Sequence, residues 1–319
     1  MVTGLYHPRV PGPRGKWLVV IAALLLIAAA LGVILSGGGA GRRWDEEVLS
    51  PGGPDKVAVV RIAGQIGSTG GLVTPGASPD EIVGQLDRAS TDERVKAVIV
   101  ELDTPGGGVV ASDTIYAKVR QVRRRKPVIA LMEDVAASGG YYIAAGANEV
   151  VANGASLTGS IGVILLVPNV QRAADKLGIE PVVIKSGPYK DIASPFREMT
   201  PEEHRILQTL IDEAYAQFVS VVAAGRRLDP ARVREIGDGR VYTGRQAREL
   251  GLVDYLGGRD RAFARARTLA HTPRASLVRY TRRRGLFERV LGLTSGIGAR
   301  LPAGVDVELR PGLKYLWIP

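Results

Sequence analysis

The hydrophobic pattern changes character three times along the chain. Residues 17–36 form a run of twenty apolar or small residues without a single charge. That matches the roughly 20 residues an α-helix needs to cross a bilayer core, and it is longer than the roughly 7–15-residue core of a cleavable signal. The run predicts an uncleaved membrane anchor. Arg9, Arg14 and Lys16 precede it without any acid, which favours a cytoplasmic N-terminus and an extracytoplasmic body. Residues 37–55, rich in glycine, proline and charge, read as a linker.

From residue 57 short apolar runs alternate with helix-like stretches. Residues 57–62, 95–102, 127–132, 149–152, 161–167 and 181–185 are rich in Val and Ile and bounded by glycine or proline, which predicts buried strands. Residues 111–125 and 170–177 predict intervening helices, and the alternation predicts an α/β domain. The clearest helix starts at Thr200-Pro201-Glu202-Glu203: threonine caps, proline suits the first helical position, and Glu203 completes a capping box. Ile206, Leu210, Tyr215, Phe218 and Val222 then keep one apolar face to about Gly225. Shorter helices are expected over 245–250 and 259–270. The organisation expected is a tail (1–16), an anchor (17–36), a linker (37–55), a catalytic-sized domain (56–270) and a C-terminal extension (271–319).

Composition changes the picture in two places. The formal charge of +10 comes mostly from arginine, in runs such as Arg123-Arg124-Arg125-Lys126 and Arg282-Arg283-Arg284. Neither run carries interleaved aromatics or a reading module, so no nucleic-acid partner is expected; the second suits a surface near anionic lipid. The chain has no cysteine, which is compatible with export and requires no disulfide.

The candidate chemistry lies in glycine-lined segments. Asp103-Thr104-Pro105-Gly106-Gly107-Gly108 ends one apolar run, and its glycines allow a bare backbone to approach a ligand. Ala136-Ala137-Ser138-Gly139-Gly140-Tyr141-Tyr142 places a serine where an apolar run gives way to a helix-like one, beside N–H groups that no helix turn has used. Gly159-Ser160-Ile161-Gly162 and Ser186-Gly187-Pro188-Tyr189-Lys190-Asp191 follow. A serine hydroxyl needs a base. The three histidines, His7, His204 and His271, lie outside every glycine-lined segment, which argues against a Ser–His–Asp triad. Lysine remains, and the chain uses only nine against 33 arginines. An ordinary lysine is neutral in about one molecule in 2,500 at pH 7, so a lysine base must be held in an apolar cleft. No phosphate-loop or histidine–acid metal motif is present, and no cofactor is expected.

The segments DTPGGGV, ASGGYYIA, GSIGV, SGPYKDIASPFREMT and RVYTGRQARELGLVDYLGG, in this order, resemble the bacterial signal peptide peptidase A family. These are membrane-bound serine peptidases with a Ser–Lys dyad on a Clp-protease/crotonase-like fold of repeated ββα units. The resemblance implies Ser138 as nucleophile, Lys190 as general base and Ser160 as the hydroxyl that orients the lysine. It implies an oxyanion hole lined by Gly106, Gly107 and Gly139. It further implies signal-peptide remnants and other short or unfolded apolar peptides as substrates, and a ring-shaped homo-oligomer with sites built across neighbouring subunits; whether Ser138 and Lys190 meet within one chain or from different chains the sequence leaves open. The competing readings are a membrane peptidase acting on a stomatin-like partner, a crotonase-like acyl-CoA enzyme and a non-catalytic membrane scaffold.

Overall fold

The computed structural model describes residues 24, 44–67, 76–282 and 314–316. The chain divides into two compact units, residues 1–45 with 282–303, and residues 46–281 with 304–319. The second holds nearly all of the described structure. The expected anchor, 17–36, lies outside the described residues apart from Leu24; among the described residues no helix is long and apolar enough to cross a membrane.

The second unit is a mixed α/β body built on a mainly parallel sheet. Its strands are β1 (Trp44–Ser50), β2 (Lys56–Ala63), β3 (Val95–Thr104), β5 (Val128–Ala137), β6 (Glu149–Ala152), β9 (Tyr255–Leu256) and β10 (Ser276–Arg282), arranged β1-β10-β2-β3-β5-β6-β9. From β10 to β9 every neighbouring pair is parallel. Parallel sheets are covered on both faces, so their strands read as continuous apolar runs. Val57 to Val60 and Ala97 to Val100 accordingly have at most 1% of their surface exposed. One face packs Val57, Val59, Ala97, Ile99, Ile129, Leu131 and Val151 against Ala262 and Ala266. Those alanines belong to helix α8 (Arg259–Leu269).

The preceding helices are α1 (Pro79–Thr91), α2 (Val109–Arg123), α3 (Gly139–Ala144), α4 (Gln171–Lys176), α5 (Pro201–Arg226), α6 (Pro230–Ile236) and α7 (Gly244–Glu249). The capping box at the start of α5 forms as the sequence predicts: the Glu203 amide donates to Thr200 Oγ1 at 3.2 Å, and the Thr200 amide donates to Glu203 Oε2 at 2.9 Å. Arg227, in the left-handed region (φ 56°), ends the helix.

Three small strands lie around the ends of this sheet. β4 (Gly106–Gly108) follows β3; β7 (Leu157–Gly159) pairs in parallel with the end of β5 and antiparallel with β8 (Val241–Thr243). β11 (Lys314–Leu316) runs antiparallel to β4.

Two expected strands do not form. Residues 181–185 have no strand partner, and Val182 and Ile184 are 86% and 96% exposed. Residues 161–167 contribute one isolated bridge, at Ile164. Apolar content alone does not create a strand; it requires a neighbour to satisfy its backbone. Conversely, β1 falls within residues 37–55 and β10 within 271–319, so the sheet draws on both flanking segments.

Candidate functional site

Ligands of open parallel sheets bind beyond the C-terminal ends of the strands, and three sequence-predicted segments gather there. Gly106–Gly108 follows β3, Ser138 follows β5, and Ser160 follows β7. β5 is the hub. Its end pairs with β3 at Thr104↔Ala136 and with β7 at Ala137↔Gly159.

Ser138 lies between β5 and α3 with φ 52° and ψ −113°. Positive φ in a residue with a Cβ costs on the order of 1–3 kcal/mol and persists only where the surroundings fix it. Two backbone bonds do so: the Ser138 amide donates to the Gly159 carbonyl at 2.8 Å, and the Tyr142 amide donates to the Ser138 carbonyl at 2.9 Å. A serine in the N-cap position ordinarily spends its hydroxyl on a helix amide. Ser138 makes no such bond; its Oγ is buried and has no hydrogen-bond partner among the described residues. The hydroxyl is thus left uncommitted at a strand-to-helix turn, where a serine can act as nucleophile only once a base comes within hydrogen-bond reach.

The glycine turn is held by Thr104, which sequence reasoning did not single out. Its hydroxyl donates to the Gly64 carbonyl at 2.6 Å and accepts from the Gly106 amide at 3.1 Å. The backbone of β4 is bound by Ile66 on one edge: the Ile66 amide donates to the Gly106 carbonyl at 2.8 Å, and the Gly108 amide donates to the Ile66 carbonyl at 3.0 Å. Glycine is required here. A Cβ on Gly107 would stand 2.0 Å from the Ile66 oxygen, and one on Gly106, where φ is +100°, would stand 2.1 Å from the Tyr315 oxygen and 2.7 Å from the Gly139 nitrogen. A Cβ on Gly139 would meet the same Tyr315 oxygen at 3.2 Å. Gly106, Gly139 and a carbonyl group from β11 therefore converge beside Ser138. Ser112 adds a second buried hydroxyl without a partner, 2.5 Å from that Gly139 Cβ position.

Ser160 also has a positive φ (47°) and is buried, its amide donating to the Arg240 carbonyl at 2.8 Å. Because Gly159 accepts from Ser138, Ser160 is one residue from a direct backbone contact with it.

Lys190 is not brought to this cluster within one chain. It is exposed, in a turn closed by its amide to the Gly187 carbonyl at 3.3 Å, and it makes no side-chain hydrogen bond or ion pair among the described residues. The other lysine of the segment, Lys185, is committed: its Nζ donates to Asp191 Oδ1 at 2.7 Å and to the Pro188 carbonyl at 3.1 Å. Arg197 donates to Asp191 Oδ2 at 2.9 Å and to Glu203 Oε2 at 2.8 Å. This ties the turn to the start of α5. Hydrogen bonds from Arg197 and then Lys185 hold the Asp191 carboxyl well below the usual carboxylate range. Arg197, with the Thr200 amide, lowers Glu203 to about 2. The stretch that carries Lys190 also exposes Leu166, Leu177, Ile179, Val182, Val183, Ile184, Tyr189 and Phe196.

Behind the glycine turn is an aromatic group. Tyr142, Phe218 and Tyr315 meet with ring centroids 4.7–5.1 Å apart, and Tyr116 joins Tyr142 edge-on. Tyr142 donates its hydroxyl to Asp113 Oδ1 at 2.7 Å and accepts from Gln217 at 2.9 Å. Burial, then the Asp113 bond, pushes its phenol well up.

The family model for peptidase family S49 matches residues 120–272, which include Ser138, Ser160 and Lys190. A Methanocaldococcus jannaschii protein, provisionally named a protease, is 38% identical over 72% of this chain and 73% of its own length. The chain belongs to peptidase family S49, the family of signal peptide peptidase A. A Synechocystis sp. relative, also provisionally named a protease, is 51% identical over 56% of this chain. An Enterococcus faecium protein provisionally named signal peptide peptidase SppA is 37% identical over 66% of it. The chain spans just under two thirds of these last two S49 relatives, 65% and 63% of their lengths.

Proposed function

We propose that this S49 member is a membrane-anchored serine endopeptidase that hydrolyses signal-peptide remnants and other short or unfolded apolar peptides. The observation that carries the reading is Ser138: a buried hydroxyl, committed to no hydrogen bond, held at positive φ between a strand and a helix beside two bare glycine backbones. In the proposed reaction Lys190 takes the Ser138 proton as Oγ attacks the peptide carbonyl. Amides around Gly106, Gly107 and Gly139 stabilise the oxyanion, a kind of contact worth about 3–4 kcal/mol per donor. Lys190 returns the proton to the leaving amine, and water hydrolyses the acyl-enzyme. Ser160 orients the lysine.

The base comes from a neighbouring copy. Two observations support this: Ser138 Oγ has no partner among the described residues, and Lys190 is exposed on a stretch that bares apolar side chains. Packing that stretch onto a second copy would bury the apolar side chains and dry the lysine together. A closed ring follows from such a head-to-tail contact if its rotation closes, and a narrow ring mouth would exclude folded proteins. The strand–strand–helix order of β3-β4-α2 fits a Clp-protease/crotonase-like fold. The charge-free run at 17–36 would anchor the body on the extracytoplasmic side of the membrane, against lipid.

The test is hydrolysis of a fluorogenic peptide by the full chain in detergent. Ser138→Ala and Lys190→Ala are each expected to lower kcat at least 1,000-fold. Unchanged turnover in either variant contradicts the dyad.

A further inference from the structure

Ser112 is fully enclosed, and its Oγ has no hydrogen-bond partner among the described residues. A helical serine turned away from solvent commonly gives its hydroxyl to the carbonyl four residues back. Thr114 does so on the same helix, donating to the Val110 carbonyl at 2.8 Å. Ser112 leaves the equivalent Gly108 carbonyl unused. An enclosed hydroxyl without a partner destabilises a fold, and alanine would occupy the position without that penalty. The hydroxyl therefore has a use in some other state of the molecule.

Its surroundings identify that state. Ser112 stands one turn into α2, a helix of 15 residues that begins at the glycine turn with Gly108 as its N-cap. Its Oγ is 2.5 Å from the Cβ position of Gly139, and Gly106 Cα is 3.3 Å from the same point. The hydroxyl thus lies against two of the glycines proposed to line the oxyanion hole, near the positive end of a helix dipole. Free donors there are fewer than the glycines. The Gly106 amide already donates to Thr104 Oγ1 at 3.1 Å, and the Gly108 amide to the Ile66 carbonyl at 3.0 Å. An oxyanion is left with the amides of Gly107 and Gly139, and with room for another donor. A carbonyl oxygen fits in this space, since that of Tyr315 is 3.2 Å from the same Gly139 position.

We infer that Ser112 is a further oxyanion donor, idle in the resting chain and engaged when the peptide carbonyl becomes tetrahedral. The inference rests on the peptidase reading above. As Ser138 Oγ adds to the carbonyl carbon, the carbonyl oxygen takes up the electron pair of the broken π bond. Rotation about χ1 lets Ser112 donate a hydrogen bond to that oxygen, and Ser112 keeps its own proton throughout. The bond is released when the carbonyl re-forms and the amine leaves. A donor that meets its acceptor only in the transition state raises kcat without tightening substrate binding.

The test compares full-length wild-type and Ser112→Ala chains in detergent on one fluorogenic peptide, with melting curves of both. The alanine variant is expected to lose about 100-fold in kcat, as on removal of a single oxyanion donor. Its KM stays unchanged, and its melting temperature is no lower than that of the wild type. A peptide aldehyde, whose adduct on Ser138 carries the tetrahedral oxygen, binds the variant correspondingly more weakly. Ser112→Cys, which keeps the bulk but donates poorly, follows alanine. Equal turnover in Ser112→Ala and wild type overturns the inference and leaves the peptidase reading standing. So does a loss of kcat that comes with a lowered melting temperature and an unchanged aldehyde affinity. A wild-type chain that hydrolyses no peptide overturns both.

Discussion

The Ser138 amide donates to the Gly159 carbonyl at 2.8 Å, and this bond ties Ser138 to the residue that precedes Ser160. It fastens the turn after β5 to the end of β7, so the position of Ser138 depends on the path of Gly159. A Cβ at Gly159, where φ is +80°, would meet the Tyr242 ring at 2.7 Å and the Arg240 oxygen at 3.1 Å. Gly159→Ala is therefore expected to lose about 1–2 kcal/mol of stability and to lower kcat more than it raises KM. Denaturation and steady-state kinetics on one preparation check both.

The base donated by a neighbour has a signature no single-chain site can give. Ser138→Ala and Lys190→Ala chains are each inactive, but mixed and reassembled they form some sites with an intact serine from one chain and an intact lysine from the other. Mixing should restore up to about a quarter of wild-type turnover, as random association of the two variants would allow. Mixtures that stay as inactive as their parts contradict a shared site.

Glycine is required in the turn after β3 and dispensable in the turn before Lys190. Gly107→Ala would drive a methyl into the Ile66 backbone, whereas a Cβ at Gly187 meets nothing within 4 Å. Gly107→Ala should abolish turnover and lower the melting temperature, and Gly187→Ala should do neither. Parallel melting curves and rates decide it.

Acid should loosen the segment that carries Lys190. Asp191 and Glu203 are held below their ordinary values by Arg197, so their contribution is complete above the unfolded carboxylate range, near pH 4, and is lost as pH falls through the folded values, about 2 for Glu203. Limited proteolysis between residues 185 and 200 with an acid-tolerant protease should quicken from pH 4 toward 2. Arg197→Ala should produce the same cleavage pattern at neutral pH. Equal protection at pH 5 and pH 2 contradicts the arrangement.

The central sheet was legible in the sequence because parallel strands buried on both faces leave uninterrupted Val and Ile runs, as at Val57 to Val60 and Ala97 to Val100. Thr200 and Glu203 were legible because a capping box is local chemistry at fixed spacing. Ser138 and the glycine turn were legible as a pattern, though their strain and close approaches emerge only when β3, β5 and β7 are laid side by side. Residues 181–185 misled because Val182 to Ile184 have a strand's composition but no pairing edge among the described residues. Thr104, Ser112 and the Tyr142–Phe218–Tyr315 group could not be found from sequence. Thr104 reaches back to Gly64, the rings meet from distant elements, and Ser112 stands out only by lacking a partner among the described residues; none of these leaves periodicity behind.

Covalent capture of the nucleophile tests the central claim most directly. The full chain is exposed to a fluorophosphonate, which phosphonylates activated serines, and its peptides are mapped by mass. The account predicts one adduct, on Ser138, with labelling lost in Lys190→Ala because the hydroxyl is no longer activated. An adduct on another residue, or labelling of Ser138 that is indifferent to Lys190, would contradict it.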